Sequence, residues 1–217
     1  MSNALTPAVI VMRHFEDLPD PPPGSPPDWP GPFCYQMPSP PSIGVPWRRL
    51  APDGIKASLN YSTALPNLIQ SLNLCPVSRV ITQDPRSKEQ TQNPFDTVYP
   101  FLFSLKLQDV KLLANGSSLL STRHDALLPD QSHSTLICWD RQTLWGNKQF
   151  DETLFLGKMR RVGGPSLQDP PVKAPTKGNQ GIYVFTNYKS DDKFDLKIYP
   201  TFTDKADTGP QPTPGAC

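Results

Sequence analysis

The sequence has no excess charge of either sign and no long apolar run. Its 217 residues carry 21 basic and 20 acidic side chains, a net charge of +1. That balance removes the electrostatic case for a nucleic-acid or anionic-membrane partner. The longest apolar stretch, Ala8-Val9-Ile10-Val11-Met12, is strand-sized, far short of the ~20 residues a membrane helix needs. Met1 to Pro7 has no basic region leading into an apolar one, so it does not read as a secretory leader, and a cytoplasmic location is expected. Cysteine is scarce. Cys34, Cys75, Cys138 and Cys217 are far apart and form no CxxC or CxH pair. No metal site or cofactor is expected from them, and reduced thiols are the default. Histidine is scarcer, with only His14, His124 and His133.

Proline is abundant. There are 28 in 217 residues, against an average near 5%. Thirteen of the 28 fall between Pro19 and Pro52. The run Pro21-Pro22-Pro23-Gly24-Ser25-Pro26-Pro27 excludes helix and central strand, because proline lacks an N–H and fixes φ. Residues 19–52 are therefore expected to form an extended surface insertion. Its Trp29, Phe33, Tyr35, Met37 and Trp47 suggest that it packs back on the domain. A second loop-like stretch runs from Gly163 to Gly181, and residues 203–217 read as a flexible tail. The length suits one domain over residues 1–202.

Between these stretches strand and helix patterns alternate. Ala8 to Met12 reads as a buried strand. Asp53 to Leu72 has helical apolar spacing, with Pro66 expected to bend or break it. Val77 to Ile81 is a second strand. Pro94 to Leu107 reads as a helix with Pro100 awkwardly inside. Ser134 to Trp139 is a third strand, and Gln142 to Leu156 is helical in part. Gly181 to Thr186 and Phe194 to Tyr199 are late strands. This order predicts an α/β fold with a mainly parallel sheet flanked by helices. Such sheets bind ligands beyond the carboxyl ends of their strands. The residues there are Arg13-His14-Phe15-Glu16, Thr82-Gln83-Asp84-Pro85 and Asp140-Arg141-Gln142.

Five segments in this order resemble the histidine phosphatase superfamily, which includes the phosphoglycerate mutases. Val9-Ile10-Val11-Met12-Arg13-His14-Phe15-Glu16 is similar to the family's apolar strand and Arg-His-Gly-Glu. Leu50-Ala51-Pro52-Asp53-Gly54-Ile55-Lys56-Ala57 is similar to its Leu-(Ser/Thr)-Pro-x-Gly-x-x-Ala helix entry. Arg79 to Pro85 resembles the strand leading to a Ser/Asp-Pro turn. Pro94 to Leu102 resembles the Arg-Pro-x-x-Thr-x-x-Pro-Leu of one bacterial branch, and Leu136 to Arg141 that branch's Ile-Cys-Trp-Glu-His.

The resemblance implies a phosphate pocket, with His14 as nucleophile forming a phosphohistidine and Arg13 holding phosphoryl oxygens. It also exposes departures. The glycine after the histidine is Phe15, which should crowd the pocket. The second arginine falls on Asn93, which carries no charge; Arg86 or Lys88 are nearby cations. The second histidine falls on Arg141, which keeps a positive charge but cannot release its proton. No counterpart of the acid is secure; His124-Asp125 and Glu16 have the right residue types. Glu16, Phe15, Asn93 and Trp139 are the expected substrate-binding residues, and His14, Arg13 and Arg141 the expected catalytic ones.

Plainer roles stay open. Asn93 suits an N-cap, Arg141 a surface pair with Asp140, and the tryptophans Trp29, Trp47, Trp139 and Trp145 a core or loop-anchoring role. Three functions are compatible with the residues. The first is a divergent phosphatase acting on a small anionic or phosphorylated molecule. The second is an enzyme of another class, of isomerase, lyase or cyclase type, in the re-adapted cleft. The third is a non-catalytic binding protein whose contact surface is the proline-rich segment.

Overall fold

The computed structural model describes residues 4–14, 52–85, 93–105, 107, 109–128, 131–144, 153–159, 182–187 and 194–199. The proline-rich insertion before Pro52, the stretch 160–181, the tail, Phe15, Glu16, Arg86, Lys88 and Trp145 lie outside them.

Six strands form one mixed sheet: β1 (Val9–Arg13), β2 (Val77–Gln83), β3 (Asp109–Leu113), β4 (Ser134–Trp139), β5 (Ile182–Thr186) and β6 (Asp195–Tyr199). Their spatial order is β3-β2-β4-β1-β5-β6. The pairings β3–β2, β2–β4 and β4–β1 are parallel, whereas β5 runs antiparallel to both β1 and β6. The fold is thus α/β, as the alternation of patterns predicts, with the late strands adding antiparallel pairs.

Side-chain alternation along each strand divides the core between two faces. Ile10, Met12, Val80, Leu136, Cys138, Ile182 and Val184 pack on one face against α1 (Pro52–Ser71) and α2 (Asn93–Ser104). These helices supply Tyr61, Leu65 and Ile69, and Val98 and Phe101. Val9, Val11, Ile81, Ile137, Trp139, Tyr183 and Phe185 pack on the other face. There they meet α3 (Gly116–Leu120), α4 (His124–Leu127), α5 (Arg141–Leu144) and α6 (Phe155–Met159) through Leu119, Leu127, Leu144, Leu156 and Met159. Strands buried on both faces read as continuous apolar runs, which is why β1 and β4 stand out in the sequence.

Pro66 does not break α1: the helix is assigned without interruption from Pro52 to Ser71, and Pro100 likewise lies inside α2. Burial of Leu65, Ile69, Val98 and Phe101 holds these segments helical despite the missing N–H donors. A Schellman motif stops α1. Asn73 adopts φ 54°, the Asn73 N–H donates to Gln70 O, and the Leu74 N–H donates to Ile69 O. Leu74 then turns into the core, and the chain enters β2.

Ser134 ties the amino ends of three strands together. Its Oγ accepts from the Ala8 N–H at 3.1 Å and donates to Cys75 O at 2.8 Å. Being fully buried, it satisfies backbone groups that the ladders leave open. No helix among the described residues is long and apolar enough to cross a membrane.

Candidate functional site

The parallel strands β1, β2, β3 and β4 end on one side of the sheet, and the helices that follow them begin there. His14 directly follows β1, and its N–H donates to Trp139 O at 3.0 Å, extending the β1–β4 ladder by one step. Arg13 is opposite Trp139 in that ladder, and Thr82 of β2 is opposite Cys138. The ends of β1, β4 and β2 therefore place Arg13–His14, Trp139–Asp140 and Thr82–Asp84 side by side, as the sequence order implied. Asp84 is fixed there by its N–H, which donates to Leu113 O at 2.9 Å. Tyr199 and Ile182 border the same end through β5 and β6.

His14 is only 6% exposed. By strand alternation it continues the face of Ile10 and Met12, toward α1 and α2. Trp139 is fully buried on the opposite face, among Val9, Ile137 and Leu144. Its Nε1 has no acceptor among the described residues. Gln83 is almost fully buried at the end of β2.

Asp140 has a structural partner. Its carboxylate accepts from the Thr143 N–H at 2.9 Å and from Thr143 Oγ1 at 2.8 Å, capping α5. Arg141 begins that helix and Asn93 begins α2. Both backbones therefore start at the carboxyl end of the sheet, and Pro94 follows as the second residue of α2, where its missing N–H costs nothing. The N-terminus of α2 brings the positive end of a three-turn helix to the same edge.

Two buried hydroxyl hydrogen bonds lie within the fold, one between α1 and α2 and one between β2 and β4. Ser58 Oγ donates to Thr97 O at 2.6 Å. Thr82 Oγ1 donates to Cys138 O at 3.2 Å. All four residues are buried. Burial pushes the Cys138 thiol well above its usual range, opposed by the Thr97 hydrogen bond and the charge of Arg13 and reinforced by that of Asp140. Cys138 is thus a neutral structural thiol, not a nucleophile. Thr82 stands at a strand end that the sequence already pointed to, but neither Ser58 nor Thr97 emerges as a site residue, since a buried hydroxyl has no spacing rule of its own. The signal available was that each falls within or beside a segment of the family resemblance.

The remaining histidines lie elsewhere. His133 precedes β4 at its amino end, roughly 20 Å from the carboxyl end at ~3.3 Å per residue. Its ring nitrogen bonds Ser132 Oγ at 3.0 Å. His124 and Asp125 open α4, whose Ala126 and Leu127 carbonyls accept from Arg79 and Thr135. Those partners sit in the amino-terminal halves of β2 and β4, so the His124–Asp125 pair is far from His14. An open groove of about 560 Å³ runs along β3 and α3, lined by Lys111, Leu113, Ser118, Thr122 and Arg123; none of the site residues expected from the sequence lines it.

No family model and no curated protein matches the chain. Among solved structures, the fold is similar to that of the "putative phosphohistidine phosphatase SixA from Agrobacterium tumefaciens". The TM-score is 0.50 at 12% sequence identity, covering 90% of this chain and 98% of that one. The chain therefore has a phosphoglycerate mutase-like α/β fold.

Proposed function

We propose that the chain is a divergent histidine-phosphatase-like protein that binds a small phosphorylated molecule at the His14 edge and transfers its phosphoryl group through His14. The observation that carries this reading is the placement of Arg13–His14 at the carboxyl end of the central strand β1, on a fold similar to a phosphohistidine phosphatase candidate.

In this reading an imidazole nitrogen of His14 attacks phosphorus while the ester P–O bond breaks. The leaving oxygen takes a proton from an acid; the candidates are Glu16, two residues after His14 in the sequence, and Asp84, which directly follows β2. Water then attacks the phosphohistidine and releases phosphate. Arg13 and Arg141 neutralise the phosphoryl oxygens, with Asn93 donating a hydrogen bond where the family has an arginine and Phe15 shaping the pocket; Trp139, expected from the sequence to bind substrate, is instead packed in the core of the opposite face. Phosphoryl transfer depends mainly on positioning and charge stabilisation. Replacing one preorganised donor costs about 10²–10³ in rate, so turnover is expected to be slow.

The test is hydrolysis of an aryl phosphate between pH 4 and 8 by the wild-type protein and by His14→Ala. Turnover that the substitution abolishes, with label from a ³²P-ester retained on His14, is the expected result. Absence of turnover in both proteins sinks the phosphatase reading and leaves a cleft that binds an anion or serves another reaction.

A further inference from the structure

We infer that the open edge of β3 is a docking surface for an extended, acidic peptide segment of a partner protein. That segment adds a further strand to the sheet and lays its carboxylates beside Lys111 and Arg123. The inference is independent of the phosphate-site reading above.

β3 is the last strand on its side of the sheet, and among the described residues only β2 pairs with it. Along a strand the N–H and C=O of one residue point to the same side, and successive residues point to opposite sides. The Asp84 N–H donates to Leu113 O at 2.9 Å. The backbone of Leu113 therefore faces β2, and with it that of Lys111 and Asp109. The backbone N–H and C=O groups of Val110 and Leu112 face away from β2, and no described residue pairs with them. A strand added at the usual spacing of about 4.8 Å satisfies all of these groups.

The side chains decide what kind of strand fits. By their register with Ile81 and Gln83, Lys111 and Leu113 project to the face of α3 and α4. There they line, with Ser118, Thr122 and Arg123, the open groove of about 560 Å³. Two of its lining residues are cations and none is a carboxylate. The one acid of β3, Asp109, is engaged by Arg79, whose Nε donates to its carboxylate. The Ser118 and Thr122 hydroxyls are committed to Asn115 Oδ1 and Ser118 O. What the groove offers a ligand is therefore positive charge beside the apolar surface of Leu113. A residue opposite Lys111 on an added strand has its Cβ about 5 Å away, where a carboxylate meets the ammonium.

A second copy of this chain fits the edge less well. In the antiparallel register of full overlap Lys111 lies opposite Lys111, and like charges directly opposite are destabilising. A register shifted to bring Asp109 to Lys111 shortens the overlap and uses a carboxylate already tied to Arg79. A lysine on an edge strand thus blunts self-pairing and leaves an acidic strand as its complement.

The experiment titrates the isotope-labelled full chain with blocked peptides of about seven residues. One alternates threonine and glutamate, one alternates threonine and lysine, and one is the glutamate peptide with a central proline. Threonine favours the extended state. Amide shifts and hydrogen exchange are read by NMR across β3 and α3. The glutamate peptide is expected to slow exchange at the Val110 and Leu112 amides and to bind more tightly than the other two. Lys111→Glu should weaken it about fivefold and turn the preference toward the lysine peptide. Leu112→Pro removes an outward N–H without touching the β2 ladder, so it should weaken peptide binding where Leu112→Val does not. Should Leu112→Pro fail to fold, the charge swap at Lys111 still decides. Unslowed exchange at both amides overturns the proposal, as does equal affinity for the glutamate and lysine peptides, or an affinity that Lys111→Glu leaves unchanged. Concentration-dependent dimerisation that protects the same amides without peptide also overturns it, because the edge then belongs to a second copy.

Discussion

Cys138 shows how one side chain can be assigned a role by its surroundings. It stands in the segment that resembles the family's Ile-Cys-Trp, and a cysteine next to a phosphate pocket invites a catalytic reading. Its thiol is fully buried on the α1/α2 face and is pushed well above the usual range by desolvation. A thiol that cannot ionise is a poor nucleophile. Alkylation at neutral pH, read peptide by peptide in the mass spectrometer, should leave Cys138 unmodified in the native protein and modify it fully in denaturant. Rapid native-state modification would contradict the burial. At the same scale, Arg13 and His14 were legible from their neighbours: a five-residue apolar strand followed at once by a cation and an imidazole. The burial of His14 and the Asp140 cap were not legible. Both depend on residues remote in sequence or on a turn geometry that residue types only permit.

At the scale of elements, the approach of two turns at the carboxyl edge sets a steric limit. A Cβ on Gly116, at the start of α3, would lie 2.6 Å from Thr143 Oγ1. That hydroxyl is already engaged with the Asp140 carboxylate. Gly116→Ala should therefore displace Thr143, loosen the α5 cap beside Arg141, and destabilise the protein by about 1–3 kcal/mol. Denaturant unfolding measures the loss, and an unchanged midpoint would show that α3 shifts without effect. The long helices α1 and α2 were visible as amphipathic periods, and the prolines inside them misled only about continuity. β3 escaped notice because it is a half-buried edge strand, Asp109-Val110-Lys111-Leu112-Leu113, with a mixed pattern. The short helices α3 and α4 escaped because a single turn has no period. α3 rests on its Asn115 cap, whose side chain accepts from the Ser118 N–H at 2.9 Å.

For the whole molecule, the two-faced core carries a pH signature. Tyr183 of β5 is buried, and burial pushes its phenol up to about 12 from 10. Tyr199 moves in the same direction for the same reason. Between pH 10 and 12 the unfolded chain loses the Tyr183 proton while the folded chain keeps it. The unfolded state then binds fewer protons, so stability falls as pH rises. Tyr183 contributes at most about 1.4 kcal/mol per pH unit to that fall. Its stabilisation is complete below pH 10 and is lost as pH climbs through about 12. Urea unfolding at a series of alkaline pH values should show this slope, and Tyr183→Phe should flatten it. An unchanged slope in the variant would assign the alkaline loss to other groups.

The sequence by itself determined the elements whose burial is two-sided or periodic: β1, β2, β4 and the helices α1 and α2. It determined too that Arg13–His14, Gln83–Asp84 and Asp140–Arg141 come at strand ends, because apolar runs stop there. Only the tertiary structure decided the strand order β3-β2-β4-β1-β5-β6 and the antiparallel direction of β5, since alternation within a strand says nothing about its neighbour or its sense. Only tertiary contacts tied Ser58 to Thr97 and Thr82 to Cys138 in the buried layer between the sheet and its helices, and carried His133 to the other end of the sheet. A hydroxyl or an imidazole takes its role from partners dozens of residues away, and no local pattern encodes that distance.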